Sequence, residues 1–303
     1  MTDRSDIKNI TIISVSYNSG MHLKRLFRNL YENAEQRQKL KFLVIDNTNG
    51  ADQDLNTLLP DDLNISIVKN DGSSPQRSIS HASGLDVGLR QSSTEYTLII
   101  DPDVHVFKSK WDSLCLSYLE GRRNLVMGAP YPDWKLGKVH DYPSVVFMFF
   151  RTQEIRGLNK SFQPFPSPLK KIKNSLFRKI TRLGIIANKN RLNRSTLLRI
   201  ITSYLEGLLG ITSPDTGNDI IEAIRNKEYE SINFEACLIY QLGSFNTNSY
   251  HNDMAREFEL YYHGDNPFMT HMYGSGVFHW KTDNGSDVQY WLNLIGHIKR
   301  GAK

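Results

Sequence analysis

The sequence predicts an α/β protein with a mainly parallel sheet that is flanked by helices. Two continuous apolar runs, Ile10 to Val15 and Phe42 to Ile45, have the composition of strands that are covered on both faces. Between them, apolar residues from Leu23 to Ala34 recur at the spacing of an amphipathic helix. A strand, a helix and a second strand in this order form a βαβ unit, in which the two strands are parallel.

The same alternation continues toward the middle of the chain. Ile65 to Val68 is a third predicted strand, a helix is expected from about Gln76 to Gln91, and Tyr96 to Ile100 is a fourth strand. Polar residues follow Val15, Ile45 and Ile100, and ligands of open α/β sheets bind outside the carboxyl ends of strands. We therefore expect these three loops to converge on one crevice.

The fourth strand ends in Asp101, Pro102 and Asp103. Because proline cannot donate to a sheet ladder, the strand must end near Asp101. Positions i and i+2 of extended backbone project to the same side, which predicts that the two carboxylates lie together. Two interpretations are open: a plain turn, since both residue types favour turns, or a hard-cation site that holds Mg²⁺ or Mn²⁺.

Composition narrows the class of protein. The 303 residues are 39% hydrophobic, which fits a folded globular protein, and apolar runs stay well short of the roughly 20 residues that cross a bilayer. Met1 to Asn9 is polar and resembles neither a signal nor a transit peptide. Cys115 and Cys237 lie in apolar surroundings, and zinc spacing cannot be built from them. We expect a cytoplasmic protein with two buried thiols.

Positive charge is concentrated in residues 155–205, here called the basic segment. It holds twelve Lys or Arg and neither Asp nor Glu, which leaves 25 basic against 32 acidic residues in the rest of the chain. Apolar residues from Leu169 to Leu183 recur at helical spacing between the basic ones. Such a helix either lies on an anionic membrane, here the inner face of the cell membrane, or packs its apolar side on the rest of the protein.

The C-terminal third is less regular. The pattern predicts a helix from Leu197 to Leu209, a strand from Glu235 to Leu242, a short helix from Met254 to Tyr262 and a closing helix from Ser286 to Lys299. Between the first two, TSPDTGND (212–219) opens another helix. Asp215 or Thr216 is a candidate N-cap there, and Asp219 three residues past Thr216 completes a pattern similar to a capping box.

Four segments in register resemble a known family. The succession TIISVSYNS, FLVIDNTN, SHASGLDVGL and EYTLIIDPDV resembles the nucleotide-binding half of GT-A glycosyltransferases, specifically the large inverting family 2, over residues 9 to 110. One departure is Ser83 before Gly84, where the family helix often has Asn, so no ligand role is assigned there. The resemblance implies a GT-A type fold, a nucleotide-sugar donor and an Mg²⁺ or Mn²⁺ cofactor.

The resemblance also implies roles for individual residues. Ser16, Tyr17 and Asn18 would line the nucleoside pocket, and Asp46, alternatively a turn or capping residue, would accept a hydrogen bond from the nucleobase. Asp101 would approach the ribose or the metal, and Asp103 would ligate the metal that bridges the diphosphate. An acidic residue at the start of the helix after the acceptor strand would be the catalytic base, here Asp215 with Asp219 as second choice. His271 or His279 would fold back onto the metal.

The expected function is therefore metal-dependent, inverting transfer of a sugar to a saccharide or lipid-linked saccharide acceptor, in surface polysaccharide biosynthesis. Residues 1–154 would form the nucleotide-sugar-binding half, 155–212 a basic helical insert, and 213–303 the acceptor side. Two alternatives remain. A sugar-phosphate nucleotidyltransferase would show a Gly-rich loop after the first strand, where residues 16–20 hold a single glycine. A non-catalytic protein would use the basic segment to bind nucleic acid or another anionic surface.

Overall fold

The computed structural model describes residues 9–72, 74, 76–165, 168–272, 281–282 and 285–301. The strands are β1 (Ile10–Ser16), β2 (Leu40–Asp46), β3 (Ile65–Lys69), β4 (Tyr96–Ile100), β5 (Val104–Val106), β6 (Leu125–Gly128), β7 (Phe147–Arg151), β8 (Glu230–Asn233), β9 (Glu235–Ala236), β10 (Glu259–His263), β11 (Asn266–His271), β12 (Lys281–Thr282) and β13 (Gly285–Ser286). The helices are α1 (Gly20–Asn33), α2 (Leu55–Leu58), α3 (Arg77–Gln91), α4 (Trp111–Leu119), α5 (Thr152–Arg156), α6 (Pro168–Thr181), α7 (Lys189–Arg194), α8 (Thr196–Leu209), α9 (Asn218–Asn226), α10 (Ser249–Glu257) and α11 (Asp287–Gly301).

The central sheet has seven strands among the described residues, in the order β3-β2-β1-β4-β7-β6-β8. Only β7 runs against its neighbours, so that β4 and β6 both pair with it in antiparallel fashion while the other pairs are parallel. Helices flank this sheet, which confirms the predicted α/β class and the mainly parallel sheet. The carboxyl ends of β1, β2 and β4 consequently meet at one edge.

Two apolar clusters cover the two faces of the sheet. Successive residues of a strand point to opposite faces, so Ile12 of β1 joins the cluster that contains α1, and Ile13 joins the cluster that contains α3. The helices present matching stripes of buried side chains, which are Leu23, Leu26, Phe27 and Leu30 on α1 and Ala82, Leu85 and Leu89 on α3. This two-sided burial explains why β1 and β2 read as continuous apolar runs.

A second sheet, of order β5-β11-β10-β9, stands beside the central one and is antiparallel throughout its described pairs. Its first strand, β5, begins directly after Asp103, so this sheet is attached to the loop that ends β4. Residues from the last third of the chain are thereby brought next to residues near position 100. The pairing of β5 with β11 brings these two distant parts of the chain together.

Some predicted elements differ from the observed ones. The predicted strand Glu235–Leu242 is wrong beyond Ala236, because a 3-10 segment, Ile239–Ser244, follows. The predicted helix Met254–Tyr262 is also wrong in its second half: α10 ends at Glu257, and β10 then pairs with β11. Both misread segments carry aromatic and apolar residues, whose spacing fits a helix and a strand equally over so few positions.

The predicted N-cap of α9 is wrong as well. The capping position belongs to Gly217, which has a φ of 92° and offers no side chain. Its amide donates to the carbonyl oxygen of Phe162. The side chain of Thr216 donates instead to the carbonyl oxygen of Ser78, at 3.1 Å. The helix therefore starts later than expected, by two residues relative to Asp215 and by one relative to Thr216, and the Asp215 side chain does not cap it.

Candidate functional site

A cleft of about 790 Å³ opens at the carboxyl edge of the central sheet. The loops after β1, β2 and β4 all contribute to its wall, which confirms the predicted convergence. Its lining residues include Tyr17, Asn18, Asn47, Asn49, Asp71, Arg77, His81, Asp101, Asp103, Tyr131, Lys135, Asp215 and His271. The many charged and amide side chains among these residues suit a polar, charged ligand.

Asp101, Asp103 and His271 bring their ligand atoms together in this cleft. One such atom from each residue lies within 4.8 Å of the other two. Nε2 of His271 is 3.3 Å from Oδ1 of Asp103 and 3.7 Å from Oδ2 of Asp101. Asp103 and His271 are almost fully buried, whereas Asp101 is partly exposed. The group therefore faces the cleft through Asp101.

The pairing of β5, β11 and β10 places His271. The register sets His271 opposite Val104 of β5 on one side and opposite Glu259 of β10 on the other. The amide of Met272 donates to the carbonyl oxygen of Asp103 at 3.0 Å, which continues this pairing into the Asp-Pro-Asp loop. A residue 168 positions away in sequence is thus held beside Asp103 by backbone hydrogen bonds.

A buried carboxylate orients the His271 ring. Oε2 of Glu259 lies 2.9 Å from Nδ1 of His271 and also accepts a hydrogen bond from the Tyr261 hydroxyl at 3.1 Å. The other carboxylate oxygen, Oε1, forms an ion pair with the ammonium of Lys135. Because Nδ1 is directed at Glu259, Nε2 is the ring nitrogen that faces Asp101 and Asp103. Histidines that ligate a metal through one ring nitrogen commonly donate a hydrogen bond from the other to a carboxylate.

Burial and neighbouring charges shift the pKa values of His271, Asp101 and Glu259. Burial would lower the pKa of His271, but the carboxylates of Asp103 and Glu259 outweigh it and raise that pKa to about 10. Burial raises the pKa of Asp101, and the neighbouring His81 and His271 oppose the rise. Burial would also raise the pKa of Glu259, yet Lys135 and then His271 lower it to about 2. Carboxylates therefore lie against the His271 ring at both of its nitrogens, Asp103 at Nε2 and Glu259 at Nδ1.

Arg25 supports the Asp-Pro-Asp loop from behind. Its guanidinium donates to the carbonyl oxygens of Pro102 and Val104, at 3.2 and 2.7 Å, and lies 4.5 Å from the centre of the Trp291 ring. Burial lowers the pKa of Arg25 to about 10, against the opposing charge of Asp103. The guanidinium binds the loop through its carbonyl groups, so the loop is fixed while the carboxylates point into the cleft.

The donor set fits a divalent cation. Carboxylate oxygens are the preferred ligands of Mg²⁺ and Mn²⁺, and an imidazole nitrogen favours a transition metal such as Mn²⁺ over Mg²⁺. Neighbouring ligands of a six-coordinate ion at about 2.1 Å lie ~3 Å apart, close to the separations found around His271 Nε2. Asp101, Asp103 and His271 would hold the ion, and Glu259 would orient the imidazole.

Asp215 lies in the same cleft, next to Lys138. One carboxylate oxygen forms an ion pair with the Lys138 ammonium, and the other accepts from the Thr216 amide at 2.9 Å. Burial would raise the pKa of Asp215, but Lys138 and that amide lower it to about 2. Asp215 is therefore ionised at neutral pH. Its side chain remains about a third exposed, at 32%, and can meet a ligand in the cleft.

Other predicted site residues lie elsewhere. Ser16 is buried, and its hydroxyl accepts from the Ser19 amide at 3.3 Å. Asp46 is also buried beneath the cleft, where its carboxylate accepts from the Thr48 and Gly50 amides at 2.9 and 2.8 Å. Asp219 lies outside the cleft wall, 3.7 Å from the Lys160 ammonium. His279 lies outside the described residues. Of the predicted group, Tyr17, Asn18, Asp101, Asp103, Asp215 and His271 are brought together.

Several cleft residues were not identified from the sequence. Lys135 and Glu259 form the buried pair behind His271, and Arg77 and His81 extend from α3 into the cleft. A signal exists for Glu259, since this charged residue directly precedes the apolar and aromatic run Leu260 to Tyr262. The Gly84 in the α3 motif has a packing role: a Cβ there would lie 2.8 Å from Oδ1 of Asn47 and 3.0 Å from Val15. This close approach sets α3 against the loop after β2.

Comparison with known proteins gives a limited likeness. No protein-family model and no curated protein sequence matches this chain. Among solved structures, it is similar to the mannosyltransferase PcManGT from Pyrobaculum calidifontis in complex with GDP-Man and Mn²⁺, with 14% identity and a TM-score of 0.43, over 73% of this chain and 75% of that one. It is also similar to S. aureus TarS, with 11% identity and a TM-score of 0.40, over 86% of this chain and 60% of that one. Residues 1–349 of TarS in complex with UDP-GlcNAc give 15% identity and a TM-score of 0.40, over 51% and 48%. Values this low assign neither a family nor an activity.

Proposed function

We propose that this protein is a metal-dependent, inverting glycosyltransferase of the GT-A, family 2 type. The donor would be a nucleotide sugar, and the acceptor a saccharide or lipid-linked saccharide of a surface polysaccharide. The observation that supports this proposal is the meeting of Asp101, Asp103 and His271 in a cleft that also holds the ionised Asp215. Cation ligands and a separate carboxylate in one polar cleft are what displacement of a nucleoside diphosphate by a hydroxyl requires.

Different residues of the cleft have different roles in the proposed reaction. Asp101, Asp103 and His271 would hold a divalent cation, which would supply Lewis-acid stabilisation to the departing diphosphate. Arg77 and Lys135 also line the cleft and add positive charge to it. Asp215 accepts the proton of the acceptor hydroxyl while that oxygen bonds to the anomeric carbon. The bond from that carbon to the diphosphate breaks on the opposite face, so configuration inverts.

The loop after β1 argues against a nucleotidyltransferase. Gly20 is the first residue of α1, and a Cβ at this position would lie 2.7 Å from the Leu58 side chain. Close packing against α2 therefore explains why the loop after β1 has a glycine at this position. A phosphate-cradling loop instead uses several glycines whose amides are directed at the ligand.

A thermal-shift panel of nucleoside diphosphates, with and without Mn²⁺, tests the proposed donor site. A preferred nucleotide present at about 100 times its Kd would stabilise the folded state by about 2.7 kcal/mol. We expect one base to stand out and its effect to depend on Mn²⁺. Equal, metal-independent shifts for all members of the panel would count against a donor site here.

Lys138 offers a test of the base through pH. In Lys138→Met the ion pair that lowers the pKa of Asp215 is lost, so this pKa should rise from about 2. The acid side of the profile of kcat/KM should therefore move to higher pH, because protonated Asp215 cannot accept a proton. In Lys138→Arg, which keeps the charge, the profile should stay where it is. An unchanged profile in Lys138→Met would exclude Asp215 as the base.

The Glu259 carboxylate should matter for metal affinity although it lies behind the site. In Glu259→Gln the partner of Nδ1 becomes neutral and the imidazole loses its orienting charge, so Mn²⁺ affinity should fall about 10–100-fold. Calorimetric titration with Mn²⁺ measures this, with circular dichroism to verify the fold. Glu235→Gln, an exposed position on the neighbouring strand β9, is the matched control. Equal Mn²⁺ affinities in Glu259→Gln and Glu235→Gln would show that Glu259 does not support metal binding.

A further inference from the structure

Helices α6 and α8 of the basic segment each expose an apolar face. On α6, Leu169, Ile172 and Leu176 follow one another at helical spacing and are 80%, 70% and 60% exposed. The corresponding exposed positions on α8 are Leu197, Ile200, Ile201, Tyr204 and Leu208. Single exposed apolar residues are ordinary, but two neighbouring helices that each expose a whole stripe mark an interaction surface.

These stripes are not the faces that attach the segment to the rest of the protein. Attachment occurs through a small apolar cluster of Leu136, Ala187 and Leu192, against which Trp134 and Leu198 pack. The Thr181 and Thr212 hydroxyls add a buried contact at 3.1 Å. No described part of the chain covers the stripes themselves. The interpretation that the apolar side packs on the rest of the protein is therefore wrong for these faces.

The charges around the stripes indicate what covers them. Lys170, Lys171, Lys173, Arg178 and Lys179 are exposed on α6, in a segment without a single Asp or Glu. An anionic lipid surface satisfies both features, because headgroups meet the ammonium and guanidinium groups while the acyl boundary takes the apolar side chains. Nucleic acid would leave the apolar stripes in water. A second copy would bring two sets of twelve positive charges together.

The surface lies beside the cleft. Near the start of α6, the Lys171 ammonium donates to Oε1 of Gln76 at 2.7 Å, directly before Arg77 of the cleft wall. Just after α6, the Arg182 guanidinium donates to the carbonyl oxygen of Leu136 at 3.3 Å, directly after Lys135. The helix therefore runs between two parts of the chain that line the cleft, and a surface bound to α6 would lie next to the cleft rim.

We propose that the apolar stripes of α6 and α8 insert into the interface of an anionic membrane, with the flanking lysines and arginines on its headgroups. If the proposed transferase activity holds, the acceptor reaches the cleft from that membrane and is a lipid-anchored saccharide. Membrane binding itself needs neither cation nor donor. Its test therefore fails or succeeds separately from the test of transfer.

Flotation with vesicles tests the surface directly. The full chain should float with vesicles of equal parts phosphatidylcholine and phosphatidylglycerol, bind those of phosphatidylcholine alone more weakly, and lose affinity as salt rises. Leu169→Gln/Ile172→Gln/Leu176→Gln, at exposed positions of a helix that glutamine tolerates, should bind at least about tenfold more weakly. Met21→Gln, an exposed apolar residue on α1, is the matched control and should bind as the unmodified chain does.

A label reports insertion independently. Cys115 and Cys237 are buried, so an environment-sensitive fluorophore attached to Ile172→Cys reports that position alone. Its emission should shift to the blue on anionic vesicles, whereas the same label at Met21→Cys should not respond. Three outcomes would overturn the proposal: no flotation with anionic vesicles, binding of unrelated DNA in place of vesicles, or a dimer that the triple glutamine variant dissociates.

Discussion

Asp103→Asn is expected to abolish Mn²⁺-dependent transfer while the fold persists. The substitution replaces a buried carboxylate, 3.3 Å from Nε2 of His271, by a neutral amide of nearly the same shape. The cluster then loses one of the carboxylates that would attract and ligate the cation. Loss of an outer partner of a metal typically costs 10–100-fold in affinity, so loss of a direct ligand should cost at least about 100-fold. Calorimetry with Mn²⁺ and release of nucleoside diphosphate from the donor measure the two effects.

The control for this variant is Asp61→Asn. Asp61 is an exposed aspartate in the turn before β3, away from the cleft. It should bind Mn²⁺ and turn over donor as the unmodified protein does. Circular dichroism establishes that Asp103→Asn is folded. Unchanged Mn²⁺ affinity and activity in a folded Asp103→Asn protein would refute the ligand role of Asp103.

The second large effect is expected at Asp215. Asp215→Asn should reduce kcat by about 10²–10⁴-fold, the usual contribution of a positioned general base, and leave donor binding nearly unchanged. The reason is that the amide cannot take the proton of the acceptor hydroxyl, whereas in the proposed mechanism the cation and the loops after β1 and β2 would hold the donor. Steady-state kinetics measures the loss of kcat, and a separate binding experiment measures the affinity for the donor.

Two further variants make this experiment decisive. Asp215→Asn leaves the largely buried Lys138 ammonium without its anionic partner, which destabilises the fold. Asp215→Asn/Lys138→Met removes both charges and should recover stability without recovering turnover. Asp219→Asn, outside the cleft wall, should remain active. If the donor affinity of Asp215→Asn falls as far as its kcat does, Asp215 has a binding role. If Asp219→Asn loses turnover and Asp215→Asn does not, Asp219 is the catalytic base.

The central sheet could be predicted because its signal is local. β1, β2 and β4 are short β-branched runs covered on both faces, and the polar residues that follow each of them mark the carboxyl edge. β10 could not be found this way. Its residues follow α10 with little interruption, and the partner that makes it a strand is β11, whose pairing is a tertiary property.

In the site, too, the residues placed by local backbone geometry could be predicted, and those placed by pairing of distant strands could not. Asp101 and Asp103 are two positions apart, so extended backbone at the end of β4 predicts their meeting. Their contact with His271 depends on the register of β5 with β11, and the role of Glu259 depends on the register of β11 with β10. Registers between distant strands are set by packing on a whole face, which the sequence of one strand does not specify. His271 was named through the family resemblance alone, and Glu259 and Lys135 were not named at all.

The proposed function requires above all a cation held at Asp101, Asp103 and His271 in contact with a diphosphate. Electron paramagnetic resonance of Mn²⁺ tests this directly, because the signal of free Mn²⁺ falls as the ion binds. We expect the protein to bind Mn²⁺ stoichiometrically, a nucleoside diphosphate to tighten that binding, and Asp103→Asn to remove it. Free Mn²⁺ that is unaffected by the protein, or binding that responds neither to the diphosphate nor to Asp103→Asn, would contradict the account.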